Sequence, residues 1–404
     1  MESATLFNGP FARSARQVSG SLLAALFFAF ALLASGATAS AALKPVPTGI
    51  YDLLFGAPGT GKIDLTTNPL IDNPNVDGFR YKIGWAKIQP DNAATFNWDS
   101  IDAAIATAAA HGKKLCISIA SGLTTPDWVF TTAPVVYKYN MLEIDPDTGL
   151  SIGSQPLPWD KAYQKKLSTF LGAFAARYEN NPTLSYVVMG GFMEVFNMTM
   201  CSTTDDYDAM NALAQHPPAG YTGLTTAYTD VSAAYIPAAQ TIISTYVAKF
   251  PTTPLLLTLY RVFPGDIGLT DQNAVDDWGK ATYPGHVGSM VSALYATLPP
   301  HGDPQKVAYP KGFQLVCAAV DDPARLYLDP DPVPMPPNPT PLQDALEHGV
   351  TLGAQYIEVY QQDLVPDESQ PVMVVERLKL IENANGEITP PGPPNPPNNL
   401  HVVQ

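Results

Sequence analysis

The stretch Gly78 to Val129, GFRYKIGWAKIQPDNAATFNWDSIDAAIATAAAHGKKLCISIASGLTTPDWV, commits the chain to alternating strands and helices. Phe79, Tyr81, Ile83 and Trp85 alternate with Arg80, Lys82 and Gly84, which predicts a strand with one apolar face and one face bearing two long cations. Asp99 caps the helix that follows, Ile101, Ala104, Ile105 and Ala108 recur at helical spacing, and His111-Gly112 closes it. Leu115-Cys116-Ile117-Ser118-Ile119 is then a short, nearly continuous apolar run, the pattern of a parallel strand buried on both faces. Together these make one βαβ unit. Trp85 and Trp128 each stand just beyond a strand's C-terminal end, where α/β folds place their ligands.

The pattern repeats along the chain. Ile50 to Phe55 reads as the first strand, Leu184 to Gly191 as the fourth, Pro254 to Tyr260 as the fifth, His286 to Met290 as the sixth, Gly312 to Val320 as the seventh and Ala354 to Tyr360 as the eighth. Helices are predicted over Lys161 to Tyr178, Thr229 to Phe250, Pro341 to His348 and Val372 to Ile381, with long loops over Asp127 to Gln155 and Met198 to Tyr228. Eight strands separated by helical patterns predict a (β/α)8 TIM barrel, a single domain over 42–386 with long loops on its C-terminal face. The alternative is a doubly wound open sheet, because the sixth strand has the weakest pattern.

Both ends read differently from the barrel. Arg13 and Arg16 precede an apolar run, Leu22 to Ala34, and small residues follow it to Ala41, so 1–41 reads as a signal peptide and the mature protein as secreted or periplasmic. The run is shorter than the roughly 20 residues a membrane span needs, so no membrane association is expected after cleavage. The tail, 387–404, is proline-rich and reads as an extended linker. A formal charge of -15 argues against nucleic acid or an anionic membrane surface as partner. Cys116 and Cys317 read as buried thiols and Cys201 as a loop residue; their spacing gives neither a disulfide framework nor a zinc motif.

One motif invites a nucleotide. Gly56-Ala57-Pro58-Gly59-Thr60-Gly61-Lys62 matches G-x-x-x-x-G-K, but Ile63 stands where a magnesium-binding hydroxyl is needed and Asp64 to Pro69 has no helical pattern. A glycine-rich loop at the end of the first strand is the better reading. A different chemistry is suggested by Glu194, a carboxylate among apolar residues just past the fourth strand, where a charge is either paired or held with a raised pKa.

Gly84-Trp85-Ala86-Lys87-Ile88-Gln89-Pro90, Phe96-Asn97-Trp98-Asp99-Ser100-Ile101-Asp102, Gly112-Lys113-Lys114, Thr125-Pro126-Asp127-Trp128 and Pro158-Trp159-Asp160, in this order, resemble the N-terminal half of clan A glycoside hydrolases, especially family-42-like β-galactosidases. The resemblance runs from about Gly49 to Tyr360 and thins after the fourth strand. It implies a retaining (β/α)8 barrel with an acid/base glutamate after strand four and a nucleophilic glutamate after strand seven. Glu194 matches the first by position, with Met193 in place of the family's preceding asparagine. Strand seven offers Gln314 and no glutamate, and Glu358 stands on strand eight instead.

Cleaving a glycoside needs two carboxyl groups flanking one bond, about 5–5.5 Å apart for direct attack and roughly 6.5–9.5 Å apart with a water between them. Glu194 as acid/base and Glu358 as nucleophile or general base, across the barrel mouth, are the catalytic candidates, with Asp321 and Asp363 in reserve. Each has a plainer role: Glu194 in an ion pair with Lys82 or Arg80, Glu358 tied to a barrel cation. Trp85, Trp128, Trp159 and Tyr360 are candidate sugar-stacking platforms or ordinary packing. Asn197, Tyr260, Arg261 and Gln314 complete the candidates for contacting a carbohydrate substrate. The chemistry requires no cofactor, and the histidines show no metal-ligand spacing. The sequence therefore predicts a secreted glycoside hydrolase, or a sugar-binding barrel with impaired carboxylates.

Overall fold

The computed structural model describes residues 42–54, 64–192, 199–296, 310–329, 331–332 and 340–365, all within the unit Ala42–Gln404. The expected signal peptide, the glycine-rich loop, Glu194, Asn197, the helix predicted over 372–381 and the proline-rich tail lie outside the described residues.

Eight strands form a closed barrel: β1 (Gly49–Leu54), β2 (Gly78–Gly84), β3 (Lys114–Ala120), β4 (Leu184–Val188), β5 (Leu255–Leu259), β6 (Val287–Leu294), β7 (Lys311–Leu315) and β8 (Tyr356–Tyr360). They follow one another round the ring in chain order, every neighbouring pair is parallel, and β8 closes on β1 from Gly49↔Tyr356 to Leu53↔Tyr360. Closure excludes the doubly wound sheet. The sixth strand, weak in pattern, is the longest of the eight, and its small residues Gly288, Ser289 and Ser292 are all buried.

Longer helices lie between the strands: α1 (Asp99–Ala110), α2 (Lys161–Tyr178), α3 (Thr204–Gln215), α4 (Val231–Lys249), α5 (Gly265–Thr282) and α6 (Pro341–Thr351). Helix α1 begins one residue earlier than its sequence signal, so Asp99 lies in the first turn and Trp98 is the cap. Asp160 caps α2, accepting from Ala162 N at 2.8 Å and Tyr163 N at 3.3 Å. Helix α3 occupies part of the expected 198–228 loop, and the 127–155 excursion holds a small hairpin, Lys138–Asn140 with Ser154–Pro156. No apolar periodicity announces α5, whose buried face carries Gly268, Asp271, Gln272, Asp276 and Lys280 beside Val275. On that face Lys280 pairs with Asp276 one turn earlier, and Ser289 of β6 donates to the same carboxylate.

Strand alternation sorts the core into two parts. Phe79, Tyr81, Ile83, Leu115, Ile117 and their equivalents join the apolar layer between strands and helices. Tyr51, Cys116, Tyr186, Val188, Leu256, Met290 and Tyr356 form a separate cluster within the ring. Glycines make room for its tyrosines: a Cβ at Gly312 would lie 1.9 Å from Tyr356 Cζ. Among the described residues these side chains pack together inside the ring. Cys201 lies in a loop, as expected, and is buried there, whereas Cys317, expected buried, is partly exposed, because β7 ends at Leu315 and leaves it in the following turn.

One buried group on the outer face of β1 carries a pH signature. Asp52 is fully buried, accepts from Asn68 Nδ2 at 3.1 Å, and has Oδ1 unpartnered among the described residues. Burial pushes its carboxyl up to about 7. Between the unfolded value near 4 and this folded value, the folded chain holds a proton that the unfolded chain has lost, so stability falls as pH rises through that window. We expect Asp52→Asn to gain on the wild type in thermal unfolding above pH 7 and to lose that advantage near pH 4.

Candidate active site

The second strand explains the centre of the site. Its inward residues, Arg80 and Lys82, bring two cations into the ring, and a buried cation persists only when paired. Arg80 and Glu358 are both fully buried and form a direct ion pair. The other carboxylate oxygen of Glu358 accepts from Tyr186 Oη at 2.8 Å. Arg80 donates further to Gln314 Oε1 at 3.0 Å, Ser118 Oγ at 3.2 Å and Met290 Sδ at 3.3 Å. Burial opposes the charge on Arg80, and the neighbouring Glu358 carboxylate more than restores it, leaving the guanidinium's pKa above its ordinary value. Lys82, one inward position further along, is pulled down to about 7 by burial and by repulsion from Arg80. Cys116 and Tyr186 are pushed well up, first by burial.

This geometry corrects several sequence-based placements. Glu358 is the third of five residues in β8, pairs in register with Gln314 and Tyr51, and so lies inside the barrel below the strand end, not at the rim. Gln314 does point inward, but its amide oxygen is committed to Arg80. The three tryptophans are not sugar platforms. Trp85 keeps the parity of Phe79, Tyr81 and Ile83 and therefore faces the helices, fully buried, stacked on Phe170 at 4.9 Å with its Nε1 donating to Gln89 Oε1 at 2.8 Å. Trp128 meets it edge-on at 6.0 Å and donates to the Gln89 carbonyl at 2.9 Å. Trp159 is buried in the same apolar layer. Trp85→Phe is expected to cost about 1–2 kcal/mol of stability through lost packing and to leave kcat/KM on any substrate unchanged, measured below the unfolding transition.

Tyr260, 41% exposed, and the half-buried Arg261 follow directly on β5 and remain open to the C-terminal face. Tyr360, the last residue of β8, is half-buried. Of the reserve carboxylates, Asp363 is buried and accepts from Ala319 N at 2.9 Å and Val320 N at 3.0 Å, which ties down the turn after β7, while Asp321 is exposed in that turn.

Three contributors escaped the sequence reading. Ser118 and Tyr186 sit inside apolar runs where nothing marks them, although each shares inward parity with Cys116 and Val188. Asp206 is fully buried and binds Tyr139 Oη at 2.7 Å, Leu142 N at 2.7 Å and Glu143 N at 2.9 Å, fixing the hairpin over the barrel face. Its signal was available as Thr203-x-x-Asp206, the reciprocal helix-start pattern. No cluster of metal-ligating side chains exists among the described residues.

The family model described as β-galactosidase, glycoside hydrolase family 42, matches residues 72–204. That span runs from just before β2 to just past β4 and includes Glu194. Among solved structures, the catalytic domain of a β-amylase from Paenibacillus polymyxa superimposes with a TM-score of 0.53 at 9% identity, over 87% of this chain and 100% of that one. A family-42 β-galactosidase from G. stearothermophilus gives 0.39 at 12% identity, over 65% of this chain and 43% of that one. The cold-adapted β-galactosidase of Rahnella sp. R3 gives 0.41 at 12% identity, over 86% and 57%. No curated protein matches the chain. The closed barrel and the similarity to the β-amylase domain define the fold as a (β/α)8 TIM barrel. Over residues 72–204 the chain is thus similar to glycoside hydrolases of family 42.

Proposed function

We propose that this hydrolase is exported and cleaves O-glycosidic bonds of oligo- or polysaccharides with retention, using Glu194 as acid/base and Glu358 as the second carboxylate. The family match carries the reading, because it spans β2 to β4 and includes Glu194, six residues after β4 in the sequence. Paired catalytic carboxyls need environments that separate their pKa values. Glu358 is held by Arg80 and by the Tyr186 hydroxyl, while Glu194 stands in an apolar sequence that favours a protonated acid. In this mechanism Glu194 gives its proton to the leaving oxygen, Glu358 attacks or supports the anomeric carbon, and Glu194 then takes a proton from the incoming water.

A second reading, a sugar-binding barrel without hydrolysis, is favoured by one observation: Glu358 is fully buried with both oxygens engaged. Incubating the secreted protein with aryl glycosides and plant oligosaccharides, and following products by proton NMR, separates the two. Turnover with the first-formed anomer matching the substrate's supports the retaining hydrolase. Binding without turnover supports the second reading.

A further inference from the structure

The chain leaves the sheet after Met189, whose N–H still reaches the Leu256 carbonyl of β5 at 3.0 Å. Gly190, Gly191 and Phe192 follow, all buried, and buried backbone groups outside a ladder must find other partners. Helix α4 supplies two. Gly190 N–H donates to Tyr246 Oη at 3.0 Å, and Tyr235 Oη donates to the Phe192 carbonyl at 3.0 Å. Both tyrosines are fully buried and stand about three turns apart on the inner face of α4, where Tyr246 stacks on Phe250 and Tyr235 meets Phe263 edge-on. A phenylalanine would pack the same way, so the hydroxyls are what distinguish these positions, and both are directed at one short run of backbone. That run fits closely on its other sides too. A Cβ at Gly190 would collide with the Ile119 carbonyl oxygen of β3, and Gly191 has a φ of +103° with Leu167 of α2 where its Cβ would stand. The exit from β4 is therefore fixed from β3, α2 and α4 together. Glu194 is the second residue after Phe192 in the sequence.

We propose that Tyr235 and Tyr246 are positioning residues for proton donation by Glu194, acting by anchoring the chain at Phe192 and Gly190. The proposal rests on the acid/base reading of Glu194. A general acid works only within hydrogen-bond reach of the leaving oxygen, and a displacement of about 1 Å is costly to the step it serves. Removing either hydroxyl loosens one anchor on the backbone that leads to Glu194. The penalty then falls on the step that needs a proton, and sugar binding is spared.

The test compares wild type, Tyr235→Phe, Tyr246→Phe, Glu194→Gln and each tyrosine variant combined with Glu194→Gln, all below their unfolding transitions. Two substrates are used, one sugar carrying either a poor alkyl leaving group or an acidic phenol, and kcat/KM is read because it reports expulsion of the leaving group. Each tyrosine variant is expected to lower kcat/KM ~10- to 100-fold on the alkyl glycoside, with little loss on the aryl glycoside. In the Glu194→Gln background the same substitution should cost no further activity, because the group it positions is gone. Wild-type kinetics in the folded tyrosine variants, equal losses on the two glycosides, or a full additional loss in the Glu194→Gln background overturns the proposal and leaves the acid/base reading standing. A Glu194→Gln variant that loses both glycosides equally, or a wild type that cleaves neither, overturns both. If one tyrosine variant does not fold, the other decides.

Discussion

Glu358→Ala is expected to lower the free energy of unfolding by roughly 3–5 kcal/mol, the range seen when one partner is removed from a buried ion pair. The reason is local. Arg80 is fully buried, and without the carboxylate its charge faces only Gln314, Ser118 and Met290, none of which is anionic. Tyr186 simultaneously loses the acceptor for its hydroxyl. Arg80→Met is expected to be comparably harmful, since it strands the carboxylate in the same layer. The double variant Arg80→Met/Glu358→Leu removes both charges and should recover much of the loss, because apolar replacement of a whole buried pair is often close to neutral. Urea unfolding of all four proteins gives the coupling directly, and additive single losses contradict the paired arrangement.

Glu194→Gln is expected to reduce kcat on a substrate with a poor leaving group by about 10²–10⁴-fold, the usual contribution of a positioned general acid. The effect should be much smaller on an aryl glycoside with an acidic phenol leaving group, which needs little protonation as it departs. This contrast separates an acid/base from a residue that merely packs. Equal losses on both substrates would assign Glu194 a structural role, such as pairing with a barrel cation. Stability should change little against the loss in rate.

Much of this was legible from pattern, and the misses share a cause. The alternation in Phe79 to Trp85 gave β2, the two inward cations and the outward apolar face, all as found. Helix α2 spans Lys161–Tyr178, the span its periodicity and Asp160 cap predict. Trp85 was misplaced because proximity to a strand end was weighed above parity, although its odd position with Phe79, Tyr81 and Ile83 already pointed it at the helices. Helix α5 was silent because its buried stripe is polar, with a lysine, an aspartate and a serine paired across two elements, a pairing that only the folded chain brings together. Glu358 was correctly paired with a cation as one of its two roles. Its depth in the barrel follows from register with β1 and β7, and a single strand's pattern does not encode register.

The account's central claim is that Glu358, buried and paired with Arg80, serves a glycosidic bond at the mouth above it. The most direct measurement is kcat for Glu358→Gln against wild type on the best cleaved substrate, at a temperature where circular dichroism shows the variant folded. The account predicts a loss of at least several hundred-fold, in line with removal of one of two essential carboxylates. A folded Glu358→Gln with full activity would contradict it and leave Glu358 as a purely structural partner of Arg80.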